Sequence, residues 1–147
     1  MTTTGFTTTI SVDNSPEEVF NAVNDVRGWW HGEVDGDTHN LNSEFTYRMR
    51  DMHFSRQQIV ELQPNKRIVW LVTDSKLSFT DAKNEWTGTK IIFEISEARD
   101  KTELRFTHAG LVPEFECYGG CSNGWEMLIH KSLFSLLTTG KGTEVFN

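Results

Sequence analysis

Side chains able to do acid–base or metal chemistry close to one another are few in this 147-residue chain. His108 ends an alternating stretch and stands just before the last periodic element of the chain. A neutral imidazole there can hydrogen-bond a small molecule or serve as a general base, with Glu114 or a tyrosine as a companion acid–base group. A strand-end histidine that simply bonds nearby backbone is the blander reading and the commoner one. Cys117, Cys121, His108 and His130 are the residues from which a metal site would have to be assembled. Zinc asks for three or four convergent ligands, and the spacing here is neither Cys-x-x-Cys nor His-Glu-x-x-His. Small apolar cysteines packing a helix onto a sheet are the simpler account, so no metal and no cofactor is expected. Gly120-Cys121-Ser122-Asn123-Gly124 lies in a helical context and is not read as a nucleophile site. No phosphate loop or dinucleotide fingerprint occurs, and no catalytic residue is assigned.

The aromatic residues form the richer constellation. Trp29 and Trp30 follow the first helical pattern, Tyr47, Phe54, Trp70, Phe93 and Phe106 fall on strand patterns, and Trp125 sits in the last helical one. Together with His108 and Leu133 they are the candidate lining of a ligand cavity. Tryptophan and tyrosine join a large apolar body to a polar tip, which suits a wall meeting an amphipathic molecule. Aromatics also simply fill cores, and strand register decides between the two. Arg48, Arg56 and Gln58 supply polar contacts only if their faces turn inward, because a slip of one residue reverses every facing.

The elements that must position these residues read in order. Phe6, Thr8, Ile10 and Val12 alternate as a half-buried strand. Ser15, Pro16 and Glu18 make a capping box with proline in the first turn, and Val19, Phe20, Val23 and Val26 follow at helical spacing. That helix stops near Arg27-Gly28, and Trp29-Trp30 begin a short second one before Gly32. Strand patterns then cover 44–50, 53–62, 67–73, 89–96 and 102–108, with turns at 63–66 and 99–101. In the second of these, Phe54, Val60 and Leu62 read as one face and Ile59 as the other. The stretch 74–88 is irregular, with Phe79 and Trp86 as anchors beside Leu77. A long amphipathic helix follows from about Pro113 to Thr139, capped by Gly140. Gly119, Gly120 and Gly124 inside it mark either a break or a close approach of backbone to sheet.

Strands in a run pair antiparallel, and helices segregated to the ends of the run make an α+β domain. The expected fold is a curved antiparallel sheet of six or seven strands wrapped around the long C-terminal helix. Residues 1–147 read as a single domain. A net charge of −7, with no basic cluster longer than Lys66-Arg67, argues against nucleic acid as a partner. No run approaches the ~20 apolar residues of a membrane span. The N-terminus shows no secretory pattern, and two cysteines make no disulfide framework. A cytoplasmic location is the expectation.

The segment Ile10 to Trp30, with Ser15-Pro16-Glu17-Glu18-Val19-Phe20 and the Trp29-Trp30 pair, resembles the opening of the START-like superfamily of helix-grip proteins. Val60 to Trp70 is similar to that superfamily's mid-sheet hairpin. Thr107-His108-Ala109-Gly110-Leu111, then Gly124-Trp125 and Ser132-Leu133, resemble the subgroup named for the activator of the heat-shock-protein-90 ATPase. The resemblance implies a helix-grip fold with an apolar cavity between sheet and terminal helix. It implies binding of a small hydrophobic or amphipathic molecule there. The alternatives are a cyclase- or hydrolase-type enzyme using the same cavity, or an interaction module that meets a chaperone or a second copy of itself.

Overall fold

The structure, a computed structural model, describes residues 5–49, 53–77, 86–112 and 118–143. Strand β1 (Gly5–Val12) leads into α1 (Pro16–Asn24) and the short α2 (Val26–Trp29). Six strands follow: β2 (Glu33–Gly36), β3 (Glu44–Met49), β4 (His53–Gln63), β5 (Arg67–Leu77), β6 (Lys90–Ala98) and β7 (Lys101–Ala109). The chain then runs through one continuous helix in three segments: α3 (Tyr118–Met127), a π-helical stretch (Leu128–Leu133) and α4 (Phe134–Thr139). The seven strands form one antiparallel sheet in the order β1-β7-β6-β5-β4-β3-β2, and it wraps around the long helix as the helix-grip reading requires. No helix among the described residues is long and apolar enough to cross a membrane.

Local chemistry explains the helix boundaries. The Ser15 hydroxyl accepts from the Glu18 amide at 3.1 Å while the Glu18 carboxylate accepts from the Ser15 amide at 2.9 Å, the reciprocal box expected from the sequence. At the other end Gly140 takes the left-handed conformation (φ 86°) and its amide bonds back to the Leu136 carbonyl, which stops α4 there. The glycines of α3 do not mark a break between 118 and 124, since the helix runs through them. At Gly119 and Gly120 an added Cβ would meet nothing within 4 Å, so these two do not serve a close approach to the sheet either.

Burial alternates along the strands as pleating demands. Phe6, Thr8, Ile10 and Val12 of β1 pair with His108, Phe106, Leu104 and Thr102 of β7, all on the face toward the helix. Three side chains then bolt the helices to the strands and to each other. Asn14 donates to the Leu137 carbonyl at 2.8 Å, Thr102 donates to the Asn14 carbonyl at 2.6 Å, and Ser132 donates to the Trp29 carbonyl at 2.6 Å.

Three readings of the sequence need correction. β2 was not expected, since Val34 is its one apolar residue and an edge strand of four residues leaves little pattern. β5 runs on past Thr73 to Leu77, because a bulge near Thr73 lets Asp74, Ser75 and Lys76 keep pairing with β4 despite their polarity. The faces of β4 are also reversed over its first half: His53, Ser55, Gln57 and Ile59 point inward, and Phe54 points out. Phe54 therefore lies on the convex face, where the Arg48 guanidinium sits 5.0 Å above its ring. A second bulge, between Ile59 and Glu61, exposes Val60 and brings Leu62 back against the core.

Candidate functional site

The concave face of the sheet carries aromatic rings that close on one another beneath the helix. All five tryptophans are buried: Trp29 and Trp30 from α2 and its end, Trp70 from β5, Trp86 ahead of β6, and Trp125 from α3. Trp30 stacks on Tyr47 at 4.0 Å, lies 5.0 Å from Trp125, and is parallel to Trp70 at 6.4 Å. Trp70 meets Phe93 edge-on at 4.9 Å, Phe93 meets Phe106 at 5.4 Å, and Phe106 meets Trp125 at 4.6 Å. Of the ten residues expected to line a cavity, Trp29, Trp30, Tyr47, Trp70, Phe93, Phe106, His108, Trp125 and Leu133 are brought together in this one buried region. Phe54 is the exception, for the reason given by its facing on β4. Arg48, Arg56 and Gln58 share that outward facing.

His108 is fully buried, and both of its ring nitrogens are taken. The Trp125 indole N–H, a donor only, gives its proton to Nδ1 at 3.0 Å. Nδ1 must therefore hold a lone pair and Nε2 the proton, which goes to the Thr89 hydroxyl at 2.8 Å. Thr89 in turn donates to the Trp86 carbonyl at 2.5 Å. Every donor in this relay has an acceptor, and the tautomer is set by it. Burial, helped by the nearby His53, pushes the His108 pKa down to about 3. An imidazole so placed is a neutral structural link, not a base with a free lone pair, although its partners are the Thr89 and Trp125 side chains and not the backbone that the blander reading expected.

Beside this relay lies a second polar group that the sequence reading missed. His53 Nε2 lies 3.1 Å from the Ser55 hydroxyl, and Gln57 Nε2 donates to the same oxygen at 2.6 Å. With Gln57 donating, the satisfied arrangement has Ser55 passing its proton to His53. His53 keeps some residual exposure, yet its ring is hemmed in by Tyr47 at 5.3 Å and Trp86 at 4.6 Å, and burial pushes its pKa down to about 3. Burial likewise raises the Tyr47 phenol, whose hydroxyl donates to the His31 carbonyl at 2.9 Å. Ser75 shares a hydrogen bond of 2.8 Å with Thr87 and faces Ser55 across the β4–β5 ladder. Three buried polar atoms here have no partner among the described residues: Gln57 Oε1, Trp70 Nε1 and Trp86 Nε1. The signal that could have found this group is the pair Ser55 and Gln57, polar at alternate positions of a strand whose other face is equally polar.

The remaining candidates do not join the site. His130 is exposed and bonds Thr8 of β1 at 2.6 Å. Cys121 is buried against the core, whereas Cys117 and Glu114 lie outside the described residues. Among the described residues no three His, Cys, Asp or Glu side chains converge on a point. Gly120 to Gly124 does spell Gly-x-Ser-x-Gly, but Ser122 lies within α3 and its hydroxyl donates back to the Gly119 carbonyl at 3.3 Å. A nucleophile elbow needs a strand-to-helix turn that lifts the serine clear of such contacts.

The family described as "Activator of Hsp90 ATPase homolog 1-like protein" matches residues 13–138. Among solved structures, the Aha1 dimer from Colwellia psychrerythraea superposes with a TM-score of 0.76 at 23% identity, covering 94% of this chain and 98% of that one. The Mll3558 protein from Rhizobium loti gives 0.71 at 18% identity, covering 92% and 97%. CalU16 from Micromonospora echinospora gives 0.64 at 18% identity, covering 90% and 74%. At these identities the likeness speaks for the fold alone. No curated protein matches the chain.

Proposed function

The chain belongs to the Activator of Hsp90 ATPase homolog 1-like family, and on that premise we propose that it binds a small hydrophobic or amphipathic molecule between the sheet and the terminal helix. One observation supports this most: unpaired polar atoms of Gln57, Trp70 and Trp86 are buried within an otherwise aromatic wall. A core built only for stability satisfies its buried donors and acceptors or omits them, since each one left unpaired costs about 1–3 kcal/mol. A few polar groups on an apolar wall are the usual make-up of a small-molecule site. The driving force would be burial of apolar ligand surface, about 25 cal/mol per Å². A base-catalysed reaction at His108 is disfavoured by its two occupied nitrogens.

Native mass spectrometry of the purified protein, with release of bound material on denaturation, tests the reading directly. A thermal-shift panel of neutral and charged aromatic compounds accompanies it. A ligand at a hundred times its Kd stabilises the fold by about 2.7 kcal/mol, which is roughly 8 °C in Tm for a domain of this size. No bound mass and no shift across the panel would overturn the proposal. Self-association is the second reading, favoured by the dimeric state of the Colwellia psychrerythraea protein. Light scattering on the eluting protein separates it, a mass of one chain excluding it.

A further inference from the structure

Gln57 Oε1 and Trp86 Nε1 are orphans of opposite character, since one can only accept and the other can only donate. They belong to one cluster. The Trp86 ring stands edge-on to His53 at 4.6 Å, and His53 and Gln57 share the Ser55 hydroxyl. We propose that this cluster selects an uncharged, flat ligand offering both a hydrogen-bond donor and an acceptor, an amide or its equivalent, and rejects the matching carboxylate. The proposal rests on the cavity reading above and names the ligand class for it.

The pairing follows from the two atoms. An amide N–H answers the Gln57 carbonyl oxygen while the amide carbonyl answers the Trp86 indole N–H. A carboxylate brings acceptors only, so it repels Gln57 Oε1 where the amide bonds it. It would also arrive without a counter-charge. Among the described residues no Asp, Glu, Lys or Arg side chain is buried; the buried polar side chains around this cluster include Ser55, Gln57, Ser75, Thr89 and His108, all uncharged. An ion moved there from water loses its hydration and gains no partner. His53 and His108 do not supply one, because burial keeps both neutral at ordinary pH.

The experiment uses two isosteric probes, naphthalene-2-carboxamide and naphthalene-2-carboxylate, titrated into the full chain at about pH 7.5. Binding is read from the indole N–H signals of the five tryptophans in a nitrogen-resolved NMR spectrum. The expected result is a Kd at least about tenfold lower for the carboxamide, with the Trp86 indole proton moving to lower field. Gln57→Leu should weaken the carboxamide by about tenfold and, by removing the oxygen that repels it, should bind the carboxylate no more weakly than the unmodified protein does. Equal affinities in the unmodified protein, or a tighter carboxylate, overturn the proposal and leave the cavity reading standing. A carboxamide preference that does not move the Trp86 signal overturns it too. If neither probe perturbs any indole signal, the cavity reading falls with it. The unmodified protein decides all three cases, so a Gln57→Leu chain that fails to fold costs nothing.

Discussion

Acidifying the protein from about pH 7.5 to about pH 4.5 carries unfolded histidines across their ordinary pKa of 6.5, while burial holds His53 and His108 near 3 in the fold. The unfolded chain takes up protons over that range and the folded chain does not. The stability due to each neutral imidazole is therefore fully present above about pH 6.5 and is lost as pH falls toward about 3. Integrating the linkage gives ~2.7 kcal/mol per histidine between those two pH values, or ~5 kcal/mol for the pair. That compares with a total of about 5–15 kcal/mol for a typical domain. The assay is urea unfolding followed by tryptophan fluorescence at half-unit pH steps. Unmodified protein should lose up to ~2.7 kcal/mol per pH unit near pH 5 from these two groups, and His108→Asn or His53→Asn should each remove about half of that slope. The slope is the readout, so a general loss of stability in either variant does not confuse it. A slope unchanged in both variants would refute the argument that these rings are held neutral by burial.

Trp125→Phe keeps an aromatic ring, a smaller one, but removes the proton given to His108 Nδ1; it should cost about 1–3 kcal/mol in urea unfolding and free the His108 tautomer, visible in the nitrogen shifts of the imidazole. Ser15→Ala removes the accepting oxygen of the capping box and should cost about 0.5–2 kcal/mol, with a matching fall in Tm. Trp70→Ala should cost about 3–5 kcal/mol by opening the aromatic cluster. Phe54→Ala, on the convex face under Arg48, should cost only about 1 kcal/mol and leave ligand binding unchanged. Similar losses from the last two would contradict the facing of β4.

The architecture was legible because its signals were local and redundant. Ser15-Pro16-Glu17-Glu18 announces a helix start by capping chemistry, and the alternation of β1, β3, β6 and β7 agrees with burial almost residue by residue. The burial of the aromatic residues was legible for the same reason, since nine of the ten residues expected at a cavity lie on faces whose period is plain and are buried together. β4 was the place where the reasoning failed. Hydrophobic patterning puts Phe54 inside and Ser55 and Gln57 outside, and the structure does the reverse. The failure is physical: an inward polar pair looks like a solvated face when only hydrophobicity is counted. Two bulges in the β4–β5 ladder also shift the parity along the strand, and no propensity rule announces them. Trp86 was seen only as an anchor in an irregular stretch, because its partners His53 and His108 come from distant strands.

The strand order has a consequence for how the chain reaches this state. From β2 to β7 every strand pairs with its neighbour in sequence, so five of the six ladders join strands that are consecutive in the chain. β1 alone must find a partner far away, as the Thr7 and Thr107 hydroxyls, 100 residues apart, make plain. Joining ends at that separation costs about 3 kcal/mol more loop entropy than closing a four-residue hairpin. The meander is thus the economical nucleus, and β1 is the natural latecomer to the transition state. On a ribosome the order is more severe, because β1 emerges before the other six strands and waits unpaired until β7 has been made. Its run of threonines keeps that exposed strand polar on its outer face, and the β7 edge stays open until it docks. Strengthening the β1–β7 ladder should therefore slow unfolding and leave the folding rate almost unchanged.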